Sequence, residues 1–179
     1  LLISTGTLDM STSNYSLKVG GNFTNNATYT ARSGTVTMNG SGAQTIGGTT
    51  ATSFYNLTLN GTATVTLGNS ETATNNLLIS TGTLNGGASG YTLTAGGNFT
   101  NNATFTGGNS TVKMNGAGAT TIGGTSSTTF YNLTLNGATV TLGNNENTSN
   151  NLLISTGTLD VSTSNYSLKV GGNFTKNAT

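Results

Sequence analysis

The octapeptide LLISTGTL stands at residues 1–8, 77–84 and 152–159 of a 179-residue chain. Repetition on this scale argues against a core assembled once from unrelated segments. Each copy must form the same local structure and bury its apolar residues against its neighbours. The unit runs over residues 1–76 and again over 77–151, and a partial third copy covers 152–179, all in one continuous array. FYNLTLNG at 54–61 returns at 130–137, and GGNFTNNAT at 20–28 returns at 96–104. Unit 2 is one residue shorter because NGTATVTLGN (60–69) becomes NGATVTLGN (136–144). A turn accepts such a deletion more readily than a strand held in register.

Inside the unit there is a finer rhythm of short alternating segments. YSLKVGG at 15, TVTMNGS at 35, YNLTLNG at 55 and LLISTGT at 77 follow one another at a nearly constant interval, and YTLTAGG restarts the series at 91. The spacing predicts four coils per unit, roughly 19 residues each, a length typical of solenoid repeats. Side chains alternate between the two sides of a strand. Val36, Met38, Leu57 and Leu59 are therefore expected to point inward, and Thr35, Thr37, Asn39, Asn56, Thr58 and Asn60 outward. The two full units support that assignment: Val36 matches Val112, Met38 matches Met114, Ile46 matches Ile122 and Phe23 matches Phe99, whereas outward Thr37 becomes Lys113.

The expected fold is all-β, a parallel β-solenoid of about nine coils in which LLISTGTL is one coil, reused each time the stack passes the same rung. Thr, Asn and Gly make up more than half of the chain. Thr suits an exposed strand face, Asn and Gly suit corners, and all three are weak helix formers. A row of β-sandwich modules is the competing architecture. It fits less well, because a chain with no Trp, no Pro and few bulky apolar residues has little to fill a core between two sheets.

Charge and composition narrow the function classes. Five basic and four acidic side chains leave a net charge of +1, too little field to attract nucleic acid. The chain has no Cys and no His, so disulfides and the usual transition-metal ligands are absent and no cofactor is expected. Asp occurs only at 9 and 160, which excludes the calcium-binding nonapeptide solenoids, whose turns each need one. The apolar runs are too short for a membrane-spanning segment. The GGNFTNN stretch lacks the following helix and the Lys-Ser/Thr of a phosphate loop, and reads as a corner.

Without His the familiar nucleophile triads are unavailable, which leaves carboxylates. Glu71 and Glu146 hold the same place in successive units; four coils apart, they would lie roughly 19 Å from one another, too far for a glycosidase pair. Asp9 and Asp160 are two units apart, and Asn85 fills their place in the middle unit. The nearer pair, Glu146 with Asp160, has no counterpart in the preceding unit, where Glu71 meets Asn85. All four acids are expected to be solvated, and the chain is expected not to be an enzyme.

Three surface features invite binding. Asn22, Asn56, Asn98 and Asn132 open Asn-x-Thr triplets and are candidate glycosylation sites, although strand alternation alone spells such triplets. Tyr15, Tyr55, Tyr91, Tyr131 and Tyr166 recur at strand starts, with Phe54 and Phe130 preceding two of them; a carbohydrate platform or the edge of the core would each use them. Thr35 with Thr37, Thr64 with Thr66 and Thr92 with Thr94 would set outward hydroxyl rows suited to ice or surface glycans.

GNFTNNATYT at 21–30, GTVTMNGSGAQTIGG at 34–48 and FYNLTLNG at 54–61 resemble the Thr/Gly/Asn-rich β-strand repeats of giant prokaryotic surface and filament proteins, loosely similar to filamentous-haemagglutinin and autotransporter β-helix adhesins. The resemblance implies an extracellular, cell-surface location and a non-enzymatic role in an adhesin stalk or extracellular filament, and it transfers no functional residues. Residues 1–28 and 152–179 differ only at Met10 against Val161 and Asn25 against Lys176. The chain thus starts and stops at matching points of its repeat, and it is expected to be an excerpt of a longer array. Its partners are then neighbouring copies stacked end to end.

Overall fold

Alternating short apolar and Thr/Asn residues yield strands and nothing else. The computed structural model describes residues 1–162 and 164–177, and among them it has 22 strands and no helix. Every strand pairing is parallel, and partners are separated by one turn of chain, which is shortest between Thr129 and Asn147 and longest between Phe23 and Ile46. The result is a parallel β-solenoid of about 8 turns, roughly 21 residues per turn. At the usual strand spacing it rises about 38 Å.

The pairings sort into three faces. On the first, Leu17, Val36, Leu57, Leu77, Phe99, Ile122 and Leu142 stand in register one above the next. On the second, Gln44, Val65, Leu84 and Phe105 do so, flanked by Phe23, Ile46 and Leu67. On the third, Glu71, Leu93, Val112, Leu133, Leu152 and Phe174 form the column. The longest strands, Asn56–Leu67, Leu77–Asn85, Asn132–Leu142 and Leu152–Asp160, bend across a corner and serve two faces each. Pairs such as Leu57 with Leu77 and Leu133 with Leu152 carry the stack across both unit boundaries.

This geometry corrects the expectation of nine shorter coils, four to a unit. The openings at 15, 35, 55 and 77 are indeed successive rungs of the first face. The next opening, at 91, is not: Thr92–Ala95 pairs on the third face, whereas the rung above Leu77 is Phe99. Two-thirds of a turn passes for a whole one, and the average coil then comes out too short. Each unit contributes eleven strand segments, three and two-thirds turns. The LLI of the octapeptide therefore lies on the second face at 1–3, on the first at 77–79 and on the third at 152–154. It is not one coil at a fixed rung. It is a corner with its flanking strands, moved to another face by each unit.

Glycine columns mark those corners. A Cβ at Gly61 would come 2.3 Å from the Gly40 carbonyl oxygen, and one at Gly40 would come 2.4 Å from that of Gly20. In unit 2 the same column, Gly96, Gly116 and Gly137, runs up a different corner with the same close approach. Only glycine lets consecutive turns stack so tightly at a bend.

The core is one continuous cluster of inward side chains from the three faces. Val36, Met38, Leu57, Leu59, Leu77 and Ile79 are fully buried as their alternation predicts. Two aromatic trios punctuate it: Phe23, Tyr29 and Phe54 have ring centroids 5.1 to 5.8 Å apart, and Phe99, Phe105 and Phe130 repeat the arrangement at 5.4 to 5.8 Å. The Tyr29 hydroxyl is buried without a partner, and burial pushes it up to about 12; Phe105 fills the matching place without one.

Phe99 is fully covered by the next turn, whereas Phe174, its counterpart on the last described rung, is 60% exposed. Phe99→Ala is expected to cost about 3–5 kcal/mol and Phe174→Ala less than about 1 kcal/mol, as read from urea denaturation of the two variants.

Candidate functional site

The outward rows are shorter than the sequence suggests. Thr35 and Thr37 stand on the first face, Thr64 and Thr66 on the second, Thr92 and Thr94 on the third, so the three pairs point in three directions. The best array lies on the second face, where Thr64, Thr83 and Thr104 form one row and Thr66, Asn85 and Thr106 another. Lys113 and Asn132 interrupt the rows that start from Thr94 and Thr92. The tyrosines scatter likewise. Tyr15 and Tyr55 flank the first face, Tyr91 and Tyr131 the third and Tyr166 the second, while Phe54 and Phe130 are buried.

Asn side chains run up the corners as a second hydrogen-bond ladder. Asn56 Oδ1 accepts from the backbone N–H of Asn76 at 3.2 Å, Asn76 Oδ1 from that of Asn98 at 2.9 Å, and Asn98 Oδ1 from that of Thr121 at 2.9 Å. Asn132, Asn151 and Asn173 repeat the series at 3.2 and 3.1 Å, and Asn22 Oδ1 accepts from Thr45 N–H at 2.9 Å. These carboxamides satisfy amides that the bend removes from strand pairing. Of the four triplet asparagines, Asn22 and Asn98 are exposed. Asn56 and Asn132 are half-buried, and their Nδ2 groups donate to Thr35 and Thr111 Oγ1 at 3.3 and 3.5 Å.

Inside the solenoid lies a polar cluster that occurs twice. Asn25 Nδ2 donates to Thr52 Oγ1 at 3.3 Å, Ala27 N–H donates to Asn25 Oδ1 at 3.2 Å, and Thr52 N–H donates to Glu71 Oε2 at 2.6 Å. In unit 2, Asn101 donates to Thr128 at 3.2 Å, Ala103 N–H to Asn101 at 3.2 Å, and Thr128 N–H to Glu146. All six side chains are buried, Glu71 at 2% exposure and Glu146 at 1%. The expectation that these two glutamates are solvated is thus overturned. The cause is alternation itself: Ala73 points inward from the ETA strand, so Glu71, two residues earlier, points inward as well. Burial pushes both carboxyls up to about 7, and the Thr52 and Thr128 donors only partly offset it. Each Oε1 is buried without a hydrogen-bond partner. The same rule applied to polar residues, Asn25 after Phe23 and Thr52 before Phe54, would have located the cluster from sequence.

The two aspartates are at the surface. Asp9 accepts from Arg32 Nε at 2.9 Å and from its terminal nitrogen at 2.6 Å, and the guanidinium holds its carboxyl below the usual range. Asp160 accepts from the Ser162 hydroxyl at 2.6 Å and its N–H at 2.8 Å, which lower it too. Glu146 and Asp160 do not meet: one points inward from the second face, and the other ends a strand on the first. Among the described residues no three of His, Cys, Asp and Glu come together to hold a metal ion. Two open depressions lie on the second face, one lined by Thr129, Asn147 and Lys169, the other by Thr66, Asn85 and Thr106.

Fold and interior together define a β-solenoid repeat protein with a duplicated internal Asn-Thr-Glu cluster. No family model, curated protein or solved structure matches the chain.

The glutamates make stability depend on pH. An unfolded carboxyl titrates near 4.5 and the folded ones at about 7, so the folded state holds these protons more tightly. The stabilisation is complete below pH 4.5 and is lost as pH rises through 7, by about 3 kcal/mol for each carboxyl. Urea midpoints between pH 4 and pH 8 should fall accordingly, and the slope should flatten in Glu71→Gln/Glu146→Gln.

Proposed function

We propose that the chain is a non-enzymatic structural segment of an extracellular filament or cell-surface adhesin stalk, a rigid rod that stacks end to end with copies of itself. The observation that carries this reading is the unbroken pairing of all three faces across both unit boundaries. A unit can be added to such a stack without any change in the core, and that is what a rod of arbitrary length requires. The low charge removes the repulsion that would keep rod ends apart. The resemblance to surface repeat proteins supports the location outside the cell.

Two measurements test it. Antibodies raised against the chain should label intact, unpermeabilised producing cells; labelling only after permeabilisation overturns the location. Light scattering should rise with concentration as rods join, and Phe174→Glu should abolish the rise; a monodisperse monomer at every concentration overturns the stacking.

The three-rung Thr array on the second face supports a second reading, adsorption to ice or to a surface glycan. Freezing hysteresis or glycan-array binding that disappears in Thr83→Lys would establish it in place of the structural role.

A further inference from the structure

The buried cluster holds the parts of a reaction. A Thr hydroxyl is within hydrogen-bond reach of a carboxamide, 3.3 Å from it in unit 1 and 3.2 Å in unit 2. A backbone N–H from Ala27 or Ala103 lies on the carboxamide oxygen, where negative charge would develop on addition. A carboxyl group from Glu71 or Glu146 is fastened to the backbone of that Thr through Oε2. We propose that Thr52 forms an ester with Asn25, and Thr128 with Asn101, in an autocatalytic step that uses Glu71 and Glu146 as proton carriers. The step is independent of the role of the rod.

Hydrogen bonding alone does not explain the glutamate. Only one of its oxygens is used, and the other is buried without a partner, which is costly for a carboxyl group in a dry interior. A group that takes up and returns a proton has a use for that free oxygen. The surroundings differ between the copies, TTAT against TSST before the Phe and ETA against ENT in the glutamate strand. Asn, Thr and Glu are kept in both, with the same bonds. All six are at most 2% exposed, so water that would hydrolyse an ester is excluded.

The chemistry balances without an outside reagent. The Asn25 carboxamide turns about its last torsion, a soft one, and presents the face of Cγ, in place of the Nδ2 edge, to the Thr52 hydroxyl. Glu71 Oε1 takes the hydroxyl proton as Oγ1 attacks Cγ, and the C=O electron pair moves onto Oδ1 beside the Ala27 N–H. As the pair returns, the Cγ–Nδ2 bond breaks and Glu71 delivers its proton to the departing nitrogen. One C–O bond replaces one C–N bond, one ammonia leaves, and the carboxyl group is regenerated. Asn101, Thr128, Glu146 and the Ala103 N–H occupy the same roles in unit 2.

Intact-mass spectrometry of the folded chain decides the matter. Two esters lower the mass by about 34 Da from the sequence value, about 17 Da for each ammonia lost. After trypsin, which cuts at Lys18, Arg32, Lys113 and Lys169, peptides 19–32, 33–113 and 114–169 should remain joined and should separate on treatment with hydroxylamine. Thr52→Val and Glu71→Gln should each restore about 17 Da and free peptide 19–32, while the unit 2 link persists as an internal control. A wild-type mass equal to the sequence value overturns the proposal. So does a loss of ammonia with unlinked peptides, which would mark a cyclised Asn instead.

Discussion

Everything in this molecule depends on the chain returning to the same place after one turn, so that each strand pairs in parallel with the strand one turn before it. Such pairing saturates the backbone of the strands and puts like positions above like positions. That forces constraints on sequence which look unrelated when read one residue at a time. Inward columns must be apolar, corner positions that touch across turns must be glycine, and bends that drop a backbone pair need an acceptor from the side. Gly40 and Gly61 meet the second demand, and Asn56, Asn76 and Asn98 the third.

Much of this is legible in the sequence. Strand alternation correctly assigned Val36, Met38, Leu57 and Leu59 to the core, and the solenoid followed from the repeat. The number of turns was not legible, because the eye follows the long strands. Thr28–Thr30, Ser53–Phe54 and Glu71–Ala73 make whole sides of the solenoid from very short segments, and segments that short carry almost no periodic signal. The step from 77 to 91 then looks like a turn. The interior cluster is hidden in the sequence for another reason. At Glu71 and Glu146 polarity and alternation point opposite ways, and the pleat sends every second side chain inward whatever its chemistry. A buried acid is rare enough that the prior pointed to solvent, and here the prior was the wrong guide.

The position of the cluster follows from the loops beside it. Gly48 and Gly124 have φ values of 130° and 131°, where the chain leaves the second face in unit 1 and the first in unit 2. The residues after them, 49–52 and 125–128, form the longer link to the next face, and Thr52 and Thr128 end it. Thr50 N–H and Ser126 N–H return to the carbonyls of Asn25 and Asn101. Asn25 and Asn101 therefore hold the link by backbone and side chain together. The glutamate one turn later takes the next amide, at Thr52 or Thr128. A longer corner brings more backbone amides inward than strand pairing can satisfy, and the polar cluster is what accommodates them.

The phase of the repeat bears on function more than any single residue does. Eleven strand segments on a three-sided stack leave each unit a third of a turn out of step with the last. A motif returns to its starting face only after three units, eleven turns on. Every motif must therefore fit all three faces, which keeps the faces alike and the rod without a preferred side. A flat recognition surface needs one residue type stacked on one face for many rungs, and a unit of whole turns would build it at once. This phase works against it: the Thr rows end or change after two or three rungs as the motif that makes them moves round the axis. The interior cluster is kept through this change of face: Asn25, Thr52 and Glu71 recur as Asn101, Thr128 and Glu146 with the same bonds, although each has moved to another side of the solenoid.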